Sequence, residues 1–417
     1  MKALFVSIRL TLKLALRNLG RQRQRTLSTL AAIVVGLVGL AFLDGYISYS
    51  MWGLKETIIR SGTGHFQVAA DPAYFDEGDS DPFPYLLPDS TKLARELRRM
   101  PEVKEVVPSL SFQAVLGVGG KMETVRVQAM PTAMRQANLE MLKVRSGADL
   151  DPGVPGHILL GEGLASKLGV APGATVTMFA LASGGGVNNQ EFTVSGTASS
   201  GIAAADAVSA FVDLGDAQAL MGTDRVPLLT VYLEHTEDTD AVLASLRHHP
   251  PAAAPAGAVF RGWEELSPYF QQANGAYQMV LGVARFIVLL VALFSISGTL
   301  NLSVLERLRE LGTLRAFGTR RGGVIVLVVA EGALLGLLGA LLGTAIGWAA
   351  TAAFNLAGGV TMPAQPGMTD PLTIFFKPDA AHALSNALWV IVAAAVGAWF
   401  PAHFATRRVP AALLASV

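Results

Sequence analysis

The side chains that could do chemistry crowd into one short stretch, LERLRELGTLRAFGTRR, residues 305–321. Five arginines (Arg307, Arg309, Arg315, Arg320, Arg321) and two glutamates (Glu306, Glu310) stand there between long runs with almost no charge. Charges of both signs on a short helix belong to protein docking rather than to bond making. A simple membrane anchor would need arginines alone; the acids and a 13-residue helix of about 20 Å exceed that need. Leu305, Leu308, Leu311, Leu314 and Phe317 recur every third residue, a drifting apolar ridge suited to a groove on a partner. The catalytic repertoire elsewhere is thin. With no cysteine, thiolate nucleophiles and thiolate metal sites are excluded. No G-x-x-x-x-G-K-[ST] phosphate loop occurs, since Gly120-Lys121 is followed by Met122. Neither a G-x-S-x-G elbow nor an H-E-x-x-H site is present. His248-His249 is the only histidine pair; without a visible third ligand it reads as a solvated helix end.

These residues must be held by membrane helices. Hydrophobic residues make up 51% of the 417 and charged ones 15%, against about 25% charged in soluble proteins. Lys+Arg and Asp+Glu balance at 32 each, yet they are segregated along the chain. Residues 1–26 carry Lys2, Arg9, Lys13, Arg17, Arg21, Arg23 and Arg25 and no acid. Four runs reach the roughly 20 apolar residues a spanning helix needs: Leu27–Asp44, Val280–Leu302, Val324–Ala350 and Leu384–Phe404. The first reads as an uncleaved anchor, because its basic flank is too long for a signal peptide and no A-x-A-like site follows. The basic segments (the N-terminal arm, 303–323, and Arg407-Arg408) fall on one side when the chain crosses four times. The positive-inside rule then makes that side cytoplasmic, both termini included.

The fold class expected is an α-helical integral membrane protein with four transmembrane helices and a large extracytoplasmic α/β domain of two subdomains inserted between helices 1 and 2. The divisions are an amphipathic entry helix (1–26), the first span with a stalk (27–60), the α/β domain (61–262), and a second stalk and span (263–302). A charged cytoplasmic helix (303–323), the third span (324–356), a short outer loop (357–383), the fourth span (384–404) and a tail (405–417) complete it. Within the insert, residues 91–110 read as a helix, a Pro-marked turn and a strand, and 118–130 as a hairpin. Residues 157–180 read as strand, helix, Pro-Gly turn and strand; 181–192 as a flexible hairpin tip; 226–234 as a strand and 238–250 as a helix. The second subdomain is inserted in the first, and Pro250–Ala258 is a loop. No breaker interrupts Leu27 to about Arg60, roughly 50 Å of helix against about 30 Å of hydrocarbon, and residues 263–286 lead likewise into the second span. In the arm, Ile8, Leu12, Ala15, Leu16 and Leu19 share a face opposite Arg9, Lys13 and Arg17, which suits a helix lying on an anionic leaflet. In the third span Gly332, Gly336, Gly339, Gly343 and Gly347 allow close helix packing. Glu331 lies about two turns inside that span, where a carboxylate marks a pathway or a buried pair.

ERLRELGTLRAFGTRR resembles the cytoplasmic coupling helix of MacB-type ABC transporter permeases, a Glu-Arg-x-x-Glu-(apolar)-Gly-x-(apolar)-Arg-Ala-x-Gly pattern. Glu306, Arg307, Glu310, Gly312, Leu314, Arg315, Ala316 and Gly318 stand at the matching places. LALRNLGRQRQRT (14–26), AEGALLGLLGALLG (330–343) and FPAHFATRRVPAALL (400–414) resemble the family's entry helix, third span and C-terminal end. SGTGHFQV (61–68) and LLGEGLASKLGVAPGATVTM (159–178) point to its lipoprotein-releasing branch. The resemblance implies two permease subunits, identical or homologous, on a cytoplasmic ABC ATPase dimer that binds ATP and Mg; this chain itself would hold no cofactor and catalyse nothing. ATP-driven strokes would push the coupling helices, move the stalks and extract lipoproteins or other lipidated cargo from the inner membrane. For Glu331 it implies a structural hydrogen bond near the cytoplasmic end. It also implies cargo contact from Phe42, Leu43, Tyr46, Tyr49 and Met51 on the first span, and from Tyr277 and Met279 before the second. A periplasmic chaperone or channel protein and membrane lipid are the remaining partners expected, with no nucleic acid. The alternatives are a tripartite-type efflux permease and a mechanotransmitter that controls a periplasmic partner without transport.

Overall fold

The computed structural model describes residues 15, 17–18, 23–139, 142–317, 319–363 and 372–407. Most of the basic arm, including Ile8, Arg9, Leu12, Lys13, Leu16 and Leu19, lies outside them, as does Arg408. The chain forms a helical unit (residues 1–52, 273–361 and 373–417) and an α/β unit (53–272 and 362–372).

Among the described residues, four helices are long and apolar enough to cross a membrane: α1 (Arg23–Ile58), α2 (Pro268–Glu306), α4 (Arg321–Leu356) and α5 (Ala380–Arg407). The short α3 (Leu308–Ala316) follows α2. With 36 residues, α1 is about 54 Å long. Pro268 opens α2, where its missing N–H costs nothing. The helices bury stripes at helical spacing: Ile33, Leu37 and Leu40 on α1, and Ala292, Ile296 and Leu300 on α2, meet Val328 and Ala340 of α4 and Val390, Ala394 and Ala398 of α5 in one core.

In the α/β unit, alternating apolar residues give ten strands: β1 (Phe66–Ala69), β2 (Val103–Val118), β3 (Lys121–Met130), β4 (Lys143–Gly147), β5 (His157–Gly161), β6 (Thr175–Leu181), β7 (Val187–Ser199), β8 (Ser209–Asp213), β9 (Leu228–Leu233) and β10 (Val259–Gly262). The order β10-β1-β9-β2 is antiparallel throughout. Helices Ser90–Leu97 and Thr239–His248 cross over from β1 to β2 and from β9 to β10; this is a split β-α-β arrangement. Strand β2 then changes sheet. Its residues Val103–Ser109 pair with β9, whereas Leu110–Val118 pair with β3 and Ala114–Gly117 with β6. From there β2-β3-β8-β5-β7-β6 closes back on β2 as a ring of six strands. Two subdomains thus share one long strand, with the ring inserted in the chain between β2 and β9. Gly119 and Gly120, both at positive φ (55° and 83°), make the two-residue β2–β3 turn.

Candidate coupling site

The 305–317 stretch is not one helix. α2 runs through Glu306, Arg307 leaves the helical region (φ −105°, ψ 14°), and a nine-residue α3 begins at Leu308. The kink turns the Arg307 guanidinium inward. Its Nη1 donates to Glu331 Oε1 at 3.1 Å and its Nε to Glu310 Oε2 at 3.2 Å. Glu331, on α4 and 2% exposed, also accepts from the Asn18 amide. Burial of that carboxylate is tolerable because a guanidinium and an amide replace its water. The buried-pair reading of Glu331 therefore has a concrete partner, and it is a residue the motif had assigned to the ATPase.

The apolar ridge divides for a related reason. A three-residue step turns 300° on an α-helix, so the ridge rotates away from any single face. Leu311 is buried in the bundle core with Leu308 packed against it, whereas Leu305 and Phe317 are 43% and 91% exposed. Gly312 is buried and Ala316 exposed; Gly318 and the side chain of Leu314 lie outside the described residues. Glu306 pairs with Arg25 of α1 at 2.6 Å, in solvent, a contact worth little by itself. Arg315 donates to the Thr406 carbonyl of α5 at 3.3 Å. Arg307 and Arg315 thus hold α3 against α4 and α5, and Arg309, Glu310 and Phe317 form its exposed side.

The glycines of α4 serve two neighbours. A Cβ on Gly332 or Gly336 would come within 2.4 and 2.5 Å of Ala398 and Ala394 on α5. On Gly339, Gly343 or Gly347 it would meet Ile33, Leu37 and Ala41 of α1 at 2.7–2.8 Å. At the opposite end of the helical unit is a cluster the sequence did not mark. Asp44, 4% exposed, bonds His382 Nδ1 through Oδ1 at 2.7 Å and accepts the Asp379 N–H through Oδ2 at 3.1 Å. Its only signal was an acid closing an apolar run. Beside it a cavity of about 20 Å³, lined by Leu37, Thr344, Trp348 and Asn386, has room for about one water; the buried Asn386 Oδ1 has no partner among the described residues.

Of the proposed cargo residues, Phe42 stands edge-on to Phe354 and Phe376 (5.4 and 5.1 Å). Tyr49 packs on Phe375 and Trp52 (5.7 and 5.8 Å). These two are half-buried and pack on the chain's own rings. Leu43, Tyr46, Met51 and Tyr277 are half-buried, and Met279 is 72% exposed on an apolar flank of α2 with Val280, Val283, Phe286 and Ile287.

In the α/β unit, the last turn of α1 is stitched to the sheet. Thr236 Oγ1 donates to Glu56 at 3.5 Å and accepts from His65 Nε2 at 3.1 Å, while His65 Nδ1 accepts the Leu233 N–H at 3.0 Å. Those bonds demand the neutral Nε2–H tautomer, and burial, outweighing Glu56, pushes the His65 pKa down to about 4. Gly64 (φ 66°) has no space for a side chain, as a Cβ would lie 2.4 Å from Thr230.

The MacB-like periplasmic core domain family matches residues 26–249, more than half of the chain, and the FtsX-like permease C-terminal family matches residues 282–410. The chain belongs to the MacB-type ABC transporter permeases. This permease is 24% identical over 330 residues to the lipoprotein-releasing system transmembrane protein LolC of Neisseria meningitidis, covering 77% of its own length and 76% of that protein's. To the macrolide export ATP-binding/permease protein MacB of Hyphomonas neptunium it is 33% identical over 146 residues, 35% of its own length and 20% of that protein's. The periplasmic region of MacB from Actinobacillus actinomycetemcomitans aligns with a TM-score of 0.36 at 15% identity, over 51% of the permease and 95% of that structure. The α2–α3 junction of the permease, with Arg307 and Glu331, falls inside the FtsX-like match.

Proposed function

We propose that this permease transmits the strokes of a separate cytoplasmic ABC ATPase dimer, which binds ATP and Mg, to its periplasmic domain, and so releases lipidated cargo, lipoproteins first, from the inner membrane. In this reading the end with Arg25, Glu306 and Arg307 is cytoplasmic, and so are both termini. The α/β unit is a periplasmic insertion between α1 and α2. The observation that carries the reading is the Arg307–Glu331 pair. It couples a short charged helix to a membrane helix, so a push on the exposed side of α3 reaches α4. Arg309, Glu310 and Phe317 meet the ATPase, and Arg307 acts inward. The length-wide likeness to LolC supports the cargo class, with Met279 and its flank on α2 as the surface offered to acyl chains. A second permease subunit, identical or homologous, completes the complex, and a periplasmic chaperone takes the released cargo.

The test is gentle affinity purification from the native membrane with protein and lipid mass spectrometry on one eluate. An ATPase together with triacylated lipoproteins is the expected result. An ATPase with a channel component instead would favour efflux, the reading that the partial MacB likeness supports. An ATPase with a periplasmic hydrolase and no cargo would make the permease a mechanotransmitter. Absence of any ATPase would overturn the coupling role of residues 305–321.

A further inference from the structure

We propose that Arg285 binds the phosphate of an outer-leaflet phospholipid headgroup. Arg285 lies within α2, 21 residues before Glu306. At 1.5 Å per residue the two are about 31 Å apart, one hydrocarbon thickness. With Glu306 at the inner surface, as the proposed orientation has it, Arg285 reaches the outer headgroup level. A guanidinium there needs an anionic partner, because an unpaired charge at the hydrocarbon edge is expensive. No described residue supplies one. The side chain is half-buried, its Nε is shielded from water without an acceptor, and it makes no ion pair among the described residues.

Among the described residues, the membrane helices and their connections have no spare carboxylate to offer at that depth. Asp44 is engaged by His382 and by the Asp379 N–H, and Asp379 accepts the N–H groups of Ala381 and His382. Glu306, Glu310 and Glu331 cluster at the opposite end. Phosphate oxygens of a lipid do lie at this level, and the planar guanidinium donates to them in pairs. On the same helix, just inward of Arg285, Phe286 and Ile287 are 61% and 54% exposed, an apolar flank along which the acyl chains of that lipid run.

Native mass spectrometry of the full chain in detergent tests this with dioleoyl phosphatidylglycerol as probe and dioleoylglycerol, which lacks the phosphate, as control. Wild type retains the phospholipid and not the diacylglycerol; R285Q retains it at least tenfold less, and R285K, which keeps the charge but not the paired donors, falls between the two. Millimolar inorganic phosphate leaves the adduct in place. Equal retention by R285Q, equal binding of diacylglycerol, or displacement by inorganic phosphate would overturn the proposal, the last by making the site one for a free anion. Should R285Q not fold, phenylglyoxal labelling of wild-type Arg285 decides: protection by the phospholipid but not by diacylglycerol is expected, and equal labelling in both refutes it. The inference rests on the orientation proposed above but not on the cargo. An eluate without lipoproteins leaves it standing, and its own failure leaves the ATPase and cargo results untouched.

Discussion

Removing either half of the Arg307–Glu331 pair should have unequal effects. The Glu331 side chain is 3% exposed and that of Arg307 17%. Arg307→Ala leaves a buried carboxylate with only the Asn18 amide, a loss of about 3–5 kcal/mol for an orphaned buried charge. Glu331→Gln leaves the guanidinium with Glu310, which is 51% exposed at 3.2 Å, and with a path to water. Its cost should be nearer 1–2 kcal/mol. In the double variant no buried charge remains, so it should be more stable than Arg307→Ala alone, with a coupling energy of about 2–3 kcal/mol. Reversible unfolding by SDS titration in mixed micelles, followed by tryptophan fluorescence, measures all three. Cargo-stimulated ATP hydrolysis should fall in Arg307→Ala while ATPase association persists. Additive effects of the two substitutions would show that the side chains do not act as a pair, and the account of how α3 is tied to α4 would be wrong.

Three further outcomes follow from the geometry. His65 is held neutral, with its folded pKa near 4 against 6.5. Between those values the unfolded chain binds a proton that the fold excludes, so stability should be constant above pH 6.5 and fall as pH drops towards 4. The loss should reach about 3 kcal/mol; H65Q, able to keep both hydrogen bonds, should flatten the slope in melting curves of the intact protein. Gly336→Val should cost about 1–3 kcal/mol by overpacking against α5. Gly298→Ala in α2, where a Cβ meets nothing within 4 Å, should instead gain up to about 1 kcal/mol, both read from melting in detergent. Asp44→Ala should cost about 1–3 kcal/mol by orphaning His382 and the Asp379 N–H, with Asp44→Asn milder in the same assay.

Hydropathy alone located four spans, because a bilayer demands about 20 apolar residues in a row and little else in a chain meets that demand. Period-two alternation likewise made β3 legible, and short apolar runs beside turn residues did the same for β5, β6 and β9, since both are properties of neighbouring residues; the short β1, β4, β8 and β10 were not marked, and the 118–130 hairpin proved to be the turn and second strand of a longer one. The glycine spacing on α4 announced close packing but not that its first two glycines face α5 and the next three face α1. Strand order was hidden too: β2 changes sheet at Leu110 through pairings with β9, β3 and β6, and nothing local in its sequence says so. The candidate site shows the same division. The motif placed Arg307 among residues that would face a partner, yet the backbone kink and Glu331, 24 positions away, turn it inward. Asp44 and His382 are 338 positions apart, and no spacing rule links them. Short-range periodicity records which face of an element is apolar. Which polar side chains share a buried site depends on contacts between distant segments, and these exist only once the helices have packed.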